Sequence, residues 1–568
     1  MTPSGPAAHA VDRTGATDRV QGRRVARERA GPSLAVDGLA LARGTGDLPR
    51  AVDVVIIGAG IVGAACARAL ARAGVGVAVL DKGQPGAETS AHGEGNLLVS
   101  DKGPGPELDM ALVSLRRWAE LAAELAEELG PRFPGLEFER KGGIVAVASQ
   151  DGAARLGEFA RAGRGAGVDA VNLSEDRWRE LEPDLADGIV AAVHYPQDAQ
   201  LHPVIATQAL LASARRAGAT IHPGVEVTGP LGGRGGRLGG VRTTAGDVSA
   251  AGVVLAAGPW SGEVGRRLGV DLPVSPRRGM VLVTMPMPRR VRHKVYDGDY
   301  VAATQSAAAG LRVSAVVEST RAGTVLIGSS REQVGFDAGL RPMVLAEIAR
   351  RAISLFPFLA EVGLMRAYLG FRPFVPDHLP VIGSFDRLPG LWCATGHEGA
   401  GIGLAPATGD LVAELMVGAG LPDRPSAAGS SIDPTPFSPE RPSLSAAAAA
   451  TTTAARPPSP ARARPPHIGP GSGPRAPASP RRGGDIVIRF EGEAVRGRAG
   501  QTVAGILLGG GYRAWRTARS GAPRGVLCGI GVCFDCLVTV NGDRDIRACQ
   551  RRAHDGDAVS RNPAAVTS

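Results

Sequence analysis

The chain is poor in aromatic residues, which make up 4% of its 568 positions, and it holds only six cysteines. No stretch approaches eighteen consecutive apolar residues, so no conventional transmembrane helix is expected. The first fifty residues lack an apolar core segment, so Arg23-Arg24 does not read as a twin-arginine signal and secretion is not implied. So few cysteines in so long a chain argue against a disulfide framework. Four of them (Cys528, Cys533, Cys536 and Cys549) fall within twenty-two residues, the pattern of a metal site in a reducing compartment, and a cytoplasmic location is expected. A basic face is missing too, in spite of a formal net charge of +9. Residues 1–50 carry eight arginines against five acids, and residues 424–482 carry eight against two, which accounts for the whole excess. Charge confined to Pro-, Gly- and Ala-rich tracts reads as solvated tail, so no nucleic-acid partner is expected.

Glycine (80 residues) and proline (43) are abundant, while the 44% hydrophobic content is ordinary and requires at least one sizeable core. The length suggests roughly two to four units, and composition divides the chain. Residues 1–50 read as a disordered N-terminal extension and residues 51–422 as an ordered unit. Residues 423–484 read as a disordered Pro/Ala/Arg-rich linker, and residues 485–568 as a second ordered unit. The linker region holds fourteen of the 43 prolines and an all-Ala/Thr tract, Ala446 to Ala455. Such sequence cannot bury enough apolar surface to offset chain entropy, and it would let the C-terminal unit shuttle between partners.

Val52 to Ile57 is a short β-branched run, hence a buried strand; Ala64 to Ala73 reads as a helix and Val75 to Leu80 as a second strand. This βαβ unit opens on Gly58-Ala59-Gly60-Ile61-Val62-Gly63, which matches G-x-G-x-x-G, with Asp81 eighteen residues beyond the last glycine. Gly58 permits the tight turn, Gly60 lets backbone approach a pyrophosphate, and Gly63 lets helix and strand pack closely. The helix N-terminus offers free N–H groups to the phosphates, and Asp81 would accept from ribose hydroxyls, as in FAD or NAD. Further strands near Gly143, His194, Val253, Met280 and Thr324, with helices over Glu107 to Leu129 and Ile205 to Ala217, indicate an α/β Rossmann-like domain. An antiparallel-sheet substrate domain is inserted in it.

Four segments carry a family resemblance. They are the fingerprint with Asp81-Lys82, Thr89-Ser90 and Asn96; Ala256-Ala257-Gly258-Pro259-Trp260-Ser261; Gly370-Phe371-Arg372-Pro373 with Asp377; and Gly396-His397-Glu398-Gly399-Ala400-Gly401-Ile402. Their order resembles the D-amino-acid oxidase family of FAD-dependent oxidoreductases, the group that includes glycine oxidase and sarcosine oxidase. The resemblance implies FAD rather than NAD, with residues of all four segments around it. It implies Arg372 as a bidentate clamp for a substrate carboxylate, read here on a loop, and His397 beside the flavin, either orienting substrate or serving as a hydrogen-bonded structural residue. The Gly-rich turn before Leu404 would aim a helix N-terminus at the flavin's N1/C2 carbonyl edge.

Cys528-x4-Cys533-x2-Cys536, then twelve residues to Cys549, has the spacing of a plant-type [2Fe–2S] ligand set. Zinc loops instead use paired C-x2-C elements or histidines, and neither is present here. A hairpin over Asp485 to Gly497, a short helix over Thr502 to Leu508 and a strand over Leu537 to Val540 complete a β-grasp ferredoxin-like domain. It is similar to the iron–sulfur subunits of bacterial heterotrimeric amine and imino-acid dehydrogenases. The expected activity is FAD-dependent oxidation of a C–N bond in a small amino acid or amine. Electrons would pass to the fused cluster and then to a separate flavoprotein subunit or other acceptor. An oxygen-using oxidase and a non-catalytic electron-transfer subunit are the alternatives.

Overall fold

A computed structural model of the chain describes residues 47–131, 133–298, 309–420, 432–446, 485–517, 523–526 and 535–562. Strand Ala51–Ile57 lies at the centre of an eight-stranded sheet, parallel to Val77–Asp81 on one side and Gly246–Leu255 on the other. A central parallel strand is covered on both faces, which is why Val54 to Ile57 are all buried and β-branched rather than alternating. Val54 and Ile56 face the helices Ile61–Arg72, Pro203–Arg216 and Gly401–Gly418, whereas Val55 and Ile57 face a second cluster containing Leu255, Leu268 and Val375. Helix Gly401–Gly418 crosses helix Ile61–Arg72 with almost no separation. A methyl group at Gly409 would sit 2.7 Å from the backbone of Ala65.

The inserted domain is built on a second eight-stranded sheet. Its order is Leu364–Phe374, Ser275–Thr284, Val325–Arg331, Arg312–Ser319, Lys294–Asp297, Gly143–Val147, Ala191–Tyr195 and Val171–Leu173. All neighbours are antiparallel except Lys294–Asp297 with Gly143–Val147. Arg372 is therefore not on a loop. It lies in the eleven-residue strand Leu364–Phe374, paired with Arg277 across the ladder. Gly370 and Pro373 hide that strand from propensity, and its long partner Ser275–Thr284 enforces it.

Part of the expected linker is folded. Residues 432–446 are packed against the first unit: Phe437 and Leu444 are buried, and the Arg441 guanidinium clamps both oxygens of Asp377 at 2.7 and 2.8 Å. Arg441 also donates to the carbonyls of Leu379 and Pro380. Proline content alone overlooked these three anchors. The expected N-terminal extension (to residue 46) and the rest of the expected linker (421–431 and 447–484) lie outside the described residues.

The C-terminal unit is a five-stranded mixed sheet, ordered Glu493–Arg498, Asp485–Phe490, Ala558–Ser560, Leu537–Val540 and Asp543–Arg547. Helix Val503–Gly509 is capped by Thr502, whose Oγ1 accepts from the Gly505 N–H at 3.1 Å. Ile488, Phe490, Leu507, Trp515 and Val538 form its core. It meets the first unit where Arg552 donates to the Met287 carbonyl at 3.3 Å. Among the described residues, no helix is long and apolar enough to cross a membrane.

The Gly409 crossing makes a stability prediction. Gly409→Val must push the two helices apart, and overpacking of this kind costs about 1–3 kcal/mol. The melting temperature should fall by several degrees, and an unchanged value would show that the crossing is not tightly packed.

Candidate functional site

The turn between strand Ala51–Ile57 and helix Ile61–Arg72 is made of backbone lying on backbone. Gly58 has φ +108°, and a methyl group there would be 2.4 Å from the Ala256 carbonyl oxygen; one at Gly63 would be 2.0 Å from the Gly58 carbonyl oxygen. Only glycine serves at either position. Asp81, at the end of Val77–Asp81, accepts from the Ala59 N–H through Oδ2 and the Gly83 N–H through Oδ1, both at 2.7 Å. Each carboxylate oxygen retains a further lone pair for a ribose hydroxyl. Ser90 Oγ accepts from the Ile61 N–H at 3.0 Å, and Thr89 Oγ1 donates to the Phe371 carbonyl at 2.8 Å.

Gly58, Asp81, Thr89 and Ser90 line a cleft of about 1770 Å³, counting its open mouth. Gly58, Gly60, Asp81, Lys82, Thr89, Ser90, Asn96, Ala257, Gly258, Trp260, Gly399, Gly401, Ile402, His397 and Arg372 all line it. Gly63 and Gly396 stand just behind the wall. Gly396 has φ +75° and leaves no room for a side chain beside Val375. Lys82 Nζ lies 4.2 Å from the centre of the Trp260 ring, which stacks on Phe336 at 5.0 Å. Two helix N-termini, at Ile61 and at Gly401, open into the same space.

The opposite wall is the inserted sheet, whose surface is cleared by glycines. A methyl group at Gly279 would sit 2.1 Å from Arg372 Nη1, and one at Gly370 would sit 2.6 Å from the His92 Cβ. Arg372 Nη1 donates to the Ser330 carbonyl at 3.0 Å. His92 Nδ1 donates to the Glu88 carbonyl at 2.7 Å. Sequence reasoning missed the next shell. Glu398, at φ +45°, pairs with His378 Nδ1 at 2.7 Å and with the fully buried Arg277 at 3.3 Å, bracing the Gly-rich turn against the sheet. The signal was present as an acid between two glycines of that turn.

His397 lines the cleft and is anchored behind it. Its ring is buried, with Nε2 3.0 Å from Thr408 Oγ1 inside helix Gly401–Gly418. Burial pushes its imidazolium down to about 3, so the ring is neutral across the physiological range. The side chain ties the turn to the helix.

In the C-terminal unit, Cys536 and Cys549 are buried together. The Ala548 N–H donates to the Cys536 carbonyl at 3.1 Å, which brings the ends of their two segments into register. Cys528 and Cys533 lie outside the described residues.

Two family models match the chain: the FAD-dependent oxidoreductase family over residues 53–415, and a 2Fe-2S iron-sulfur cluster binding domain over residues 484–564. The chain belongs to the FAD-dependent oxidoreductases. It is an enzyme of that family carrying a 2Fe–2S domain. It is 30% identical over 407 residues to a hydrogen cyanide synthase subunit of Pseudomonas aeruginosa, covering 65% of this chain and 93% of that protein. It is 32% identical over 395 residues to glycine oxidase of the same species, covering 68% and 98%. Among solved structures, glycine oxidase of Geobacillus kaustophilus superimposes with a TM-score of 0.61 at 27% identity, covering 69% of this chain and 99% of that one. The chemistry of the cleft suits a dinucleotide: Gly58 and Gly60 leave its floor without Cβ atoms, a helix N-terminus opens into it at Ile61, and Asp81 lines it with an acceptor lone pair left on each carboxylate oxygen.

The place of His397 is testable. His397→Gln keeps a group able to hydrogen-bond Thr408, so turnover should stay within a few-fold. Proton transfer by this residue would instead demand a loss of about 10²–10⁴-fold. Steady-state rates of the flavin-loaded variant separate the two.

Proposed function

We propose that this enzyme oxidises the C–N bond of a small amino acid or amine, with electrons leaving through a C-terminal [2Fe–2S] cluster to an external acceptor. Bound FAD would supply the acceptor for hydride from the carbon next to nitrogen, and the imino product would hydrolyse in water. The observation that carries the reading is Arg372, a guanidinium held in the cleft wall by the Ser330 carbonyl and lying flat against Gly279. A planar fork there suits a carboxylate bidentately. Gly58, Gly60 and Gly63 with the helix N-terminus would hold the pyrophosphate, and Asp81 the ribose. Lys82, Thr89, Ser90, Asn96, Ala257, Gly258, Trp260, Gly396, Gly399, Gly401 and Ile402 would complete the FAD site. The N-terminus of helix Gly401–Gly418 would stabilise negative charge on the flavin ring.

Cys528, Cys533, Cys536 and Cys549 would ligate the cluster in a β-grasp unit, and the cluster's chemistry is to pass electrons one at a time. Strand Ser275–Thr284 supports a through-protein route. Its Gly279 and Val281 line the cleft, and the backbone beyond its other end, at Met287, accepts from Arg552 of the C-terminal unit. The chain has one G-x-G-x-x-G fingerprint, which the FAD would occupy. A separate flavoprotein subunit or other acceptor would therefore receive the electrons, in keeping with a relative named as a subunit. A cytoplasmic location accords with this reading.

Arg372→Lys tests the clamp. It keeps the charge and loses the fork, so kcat/KM should fall about 10–100-fold for amino acids and little for amines without a carboxylate. Equal losses for both classes would remove Arg372 from that role. The panel should include glycine, sarcosine, D-amino acids and D-hydroxyproline with an artificial electron acceptor. A non-catalytic electron carrier would oxidise none of them.

The cluster has its own test. The purified protein should hold about two irons per chain. Cys549→Ser should lose them while substrate still reduces the flavin, and transfer to the artificial acceptor should slow. Zinc in place of iron would overturn the assignment. Undiminished turnover with oxygen after loss of iron would mark an oxidase.

A further inference from the structure

Two residues with left-handed backbone, neither of them glycine, face each other behind the cleft. His378 has φ +59° and Glu398 φ +45°, and His378 Nδ1 lies 2.7 Å from Glu398 Oε1. Such backbone is strained outside glycine and persists only where the surroundings impose it. Glu398 is fixed by its own turn: its N–H donates to the Pro373 carbonyl at 3.2 Å, and its carboxylate reaches the buried Arg277 at 3.3 Å. His378 is fixed from outside the family fold. The family match ends at residue 415, and Arg441 belongs to the packed segment 432–446 beyond it. Its guanidinium brackets His378 on both sides. Arg441 Nε and Nη2 donate to the two oxygens of Asp377 at 2.7 and 2.8 Å, Nη2 to the Leu379 carbonyl at 2.7 Å, and Nη1 to the Pro380 carbonyl at 3.0 Å. Ser443 Oγ also donates to Asp377, at 2.9 Å. The Arg441 and Asp377 side chains are 5% and 8% exposed, so water competes little for these bonds. On the far side of His378, Glu398 lines the cleft. Its neighbour Gly399 stands beside Arg372, where a methyl group would be 3.6 Å from Nε.

We propose that Arg441 is a positioning residue for the flavin site. By fixing residues 377–380 it sets the imidazole of His378, which holds Glu398, and through Glu398 it sets where the glycine-rich turn stands at the cleft. Arg441 does not itself line the cleft, so it acts only through these residues. The proposal rests on the reading that FAD lies against this turn, and it adds an element that the family match does not contain. A segment that only covered the core would need no more than Phe437 and Leu444, and a buried ion pair seldom adds stability over apolar residues of the same size. What the pair does add is a fixed backbone around one strained histidine.

The test uses the full-length, flavin-loaded protein and reads hydrogen exchange at the Glu398 amide. Arg441→Lys keeps a charge beside Asp377 but cannot hold both its oxygens and the two carbonyls at once. Exchange at Glu398 should quicken about tenfold, the scale of one hydrogen bond, while amides of the central strand Ala51–Ile57 keep their rates. The flavin dissociation constant, read from flavin fluorescence, should rise about 2–5-fold, the scale of a helix terminus displaced from a charge. In a His378→Ala background, Arg441→Lys should leave the Glu398 amide unchanged, because the link is already cut. Arg441→Leu should exceed Arg441→Lys in both readouts. If it does not fold, since it leaves the Asp377 carboxylate buried without its cation, the lysine variant decides. An unchanged Glu398 amide, or equal quickening in the central strand, would show a segment that serves stability alone and overturn the positioning role. An effect of Arg441→Lys that persists undiminished beside His378→Ala would overturn it as well. Exchange that responds as expected, with a flavin constant that does not move, would leave the turn positioned by Arg441 and remove the flavin from it, so the two readings fail separately.

Discussion

The cleft depends on backbone being able to lie directly on backbone along its floor, at Gly58 against Ala256 and at Gly63 against Gly58. A single Cβ at either glycine would lift the helix from the sheet, and the N–H groups at its first turn would no longer converge on the cleft. The same economy recurs one layer out, where Gly409 seats helix Gly401–Gly418 on Ala65 and so delivers a second helix N-terminus to the same space. On the opposite wall, Gly279 and Gly370 play the inverse part. There the missing side chains leave room for other side chains, Arg372 and His92. Small residues thus set both the closeness of the walls and the width of the gap between them.

This explains which parts of the site could be read in advance. The fingerprint was legible because each glycine answers a local steric need within one βαβ unit, and Asp81 follows at a distance fixed by that unit. Arg372 was found through its neighbours Gly370 and Pro373, yet the same two residues disguised its strand as a loop. Only pairing with Ser275–Thr284, about ninety residues away in the sequence, makes it a strand. Residues 432–446 were hidden for a like reason. Their anchor is the Arg441–Asp377 pair, 64 residues apart, and composition within a window contains nothing of it.

The polar groups behind the inserted-sheet wall are arranged to fix position rather than to add stability. Lys141 and Lys294 flank Glu318 at 3.9 and 3.6 Å, all three deeply buried. Burial pushes the Lys141 ammonium down to about 8 and the Glu318 carboxyl up, the signature of charges taken out of water at a cost. Such clusters rarely stabilise more than apolar residues of the same volume would. Here Gln200 connects the cluster to the cleft, donating through Nε2 to Glu318 Oε1 at 2.8 Å and to the Glu94 carbonyl at 3.3 Å. The backbone of Glu94 is therefore tied to strand Arg312–Ser319 of the inserted sheet, as the side chain of Arg372 is tied to Ser330 on the neighbouring strand Val325–Arg331. This wall of the cleft therefore hangs from adjacent strands of one sheet, and its position is set by strand geometry rather than by the loops beside the fingerprint turn.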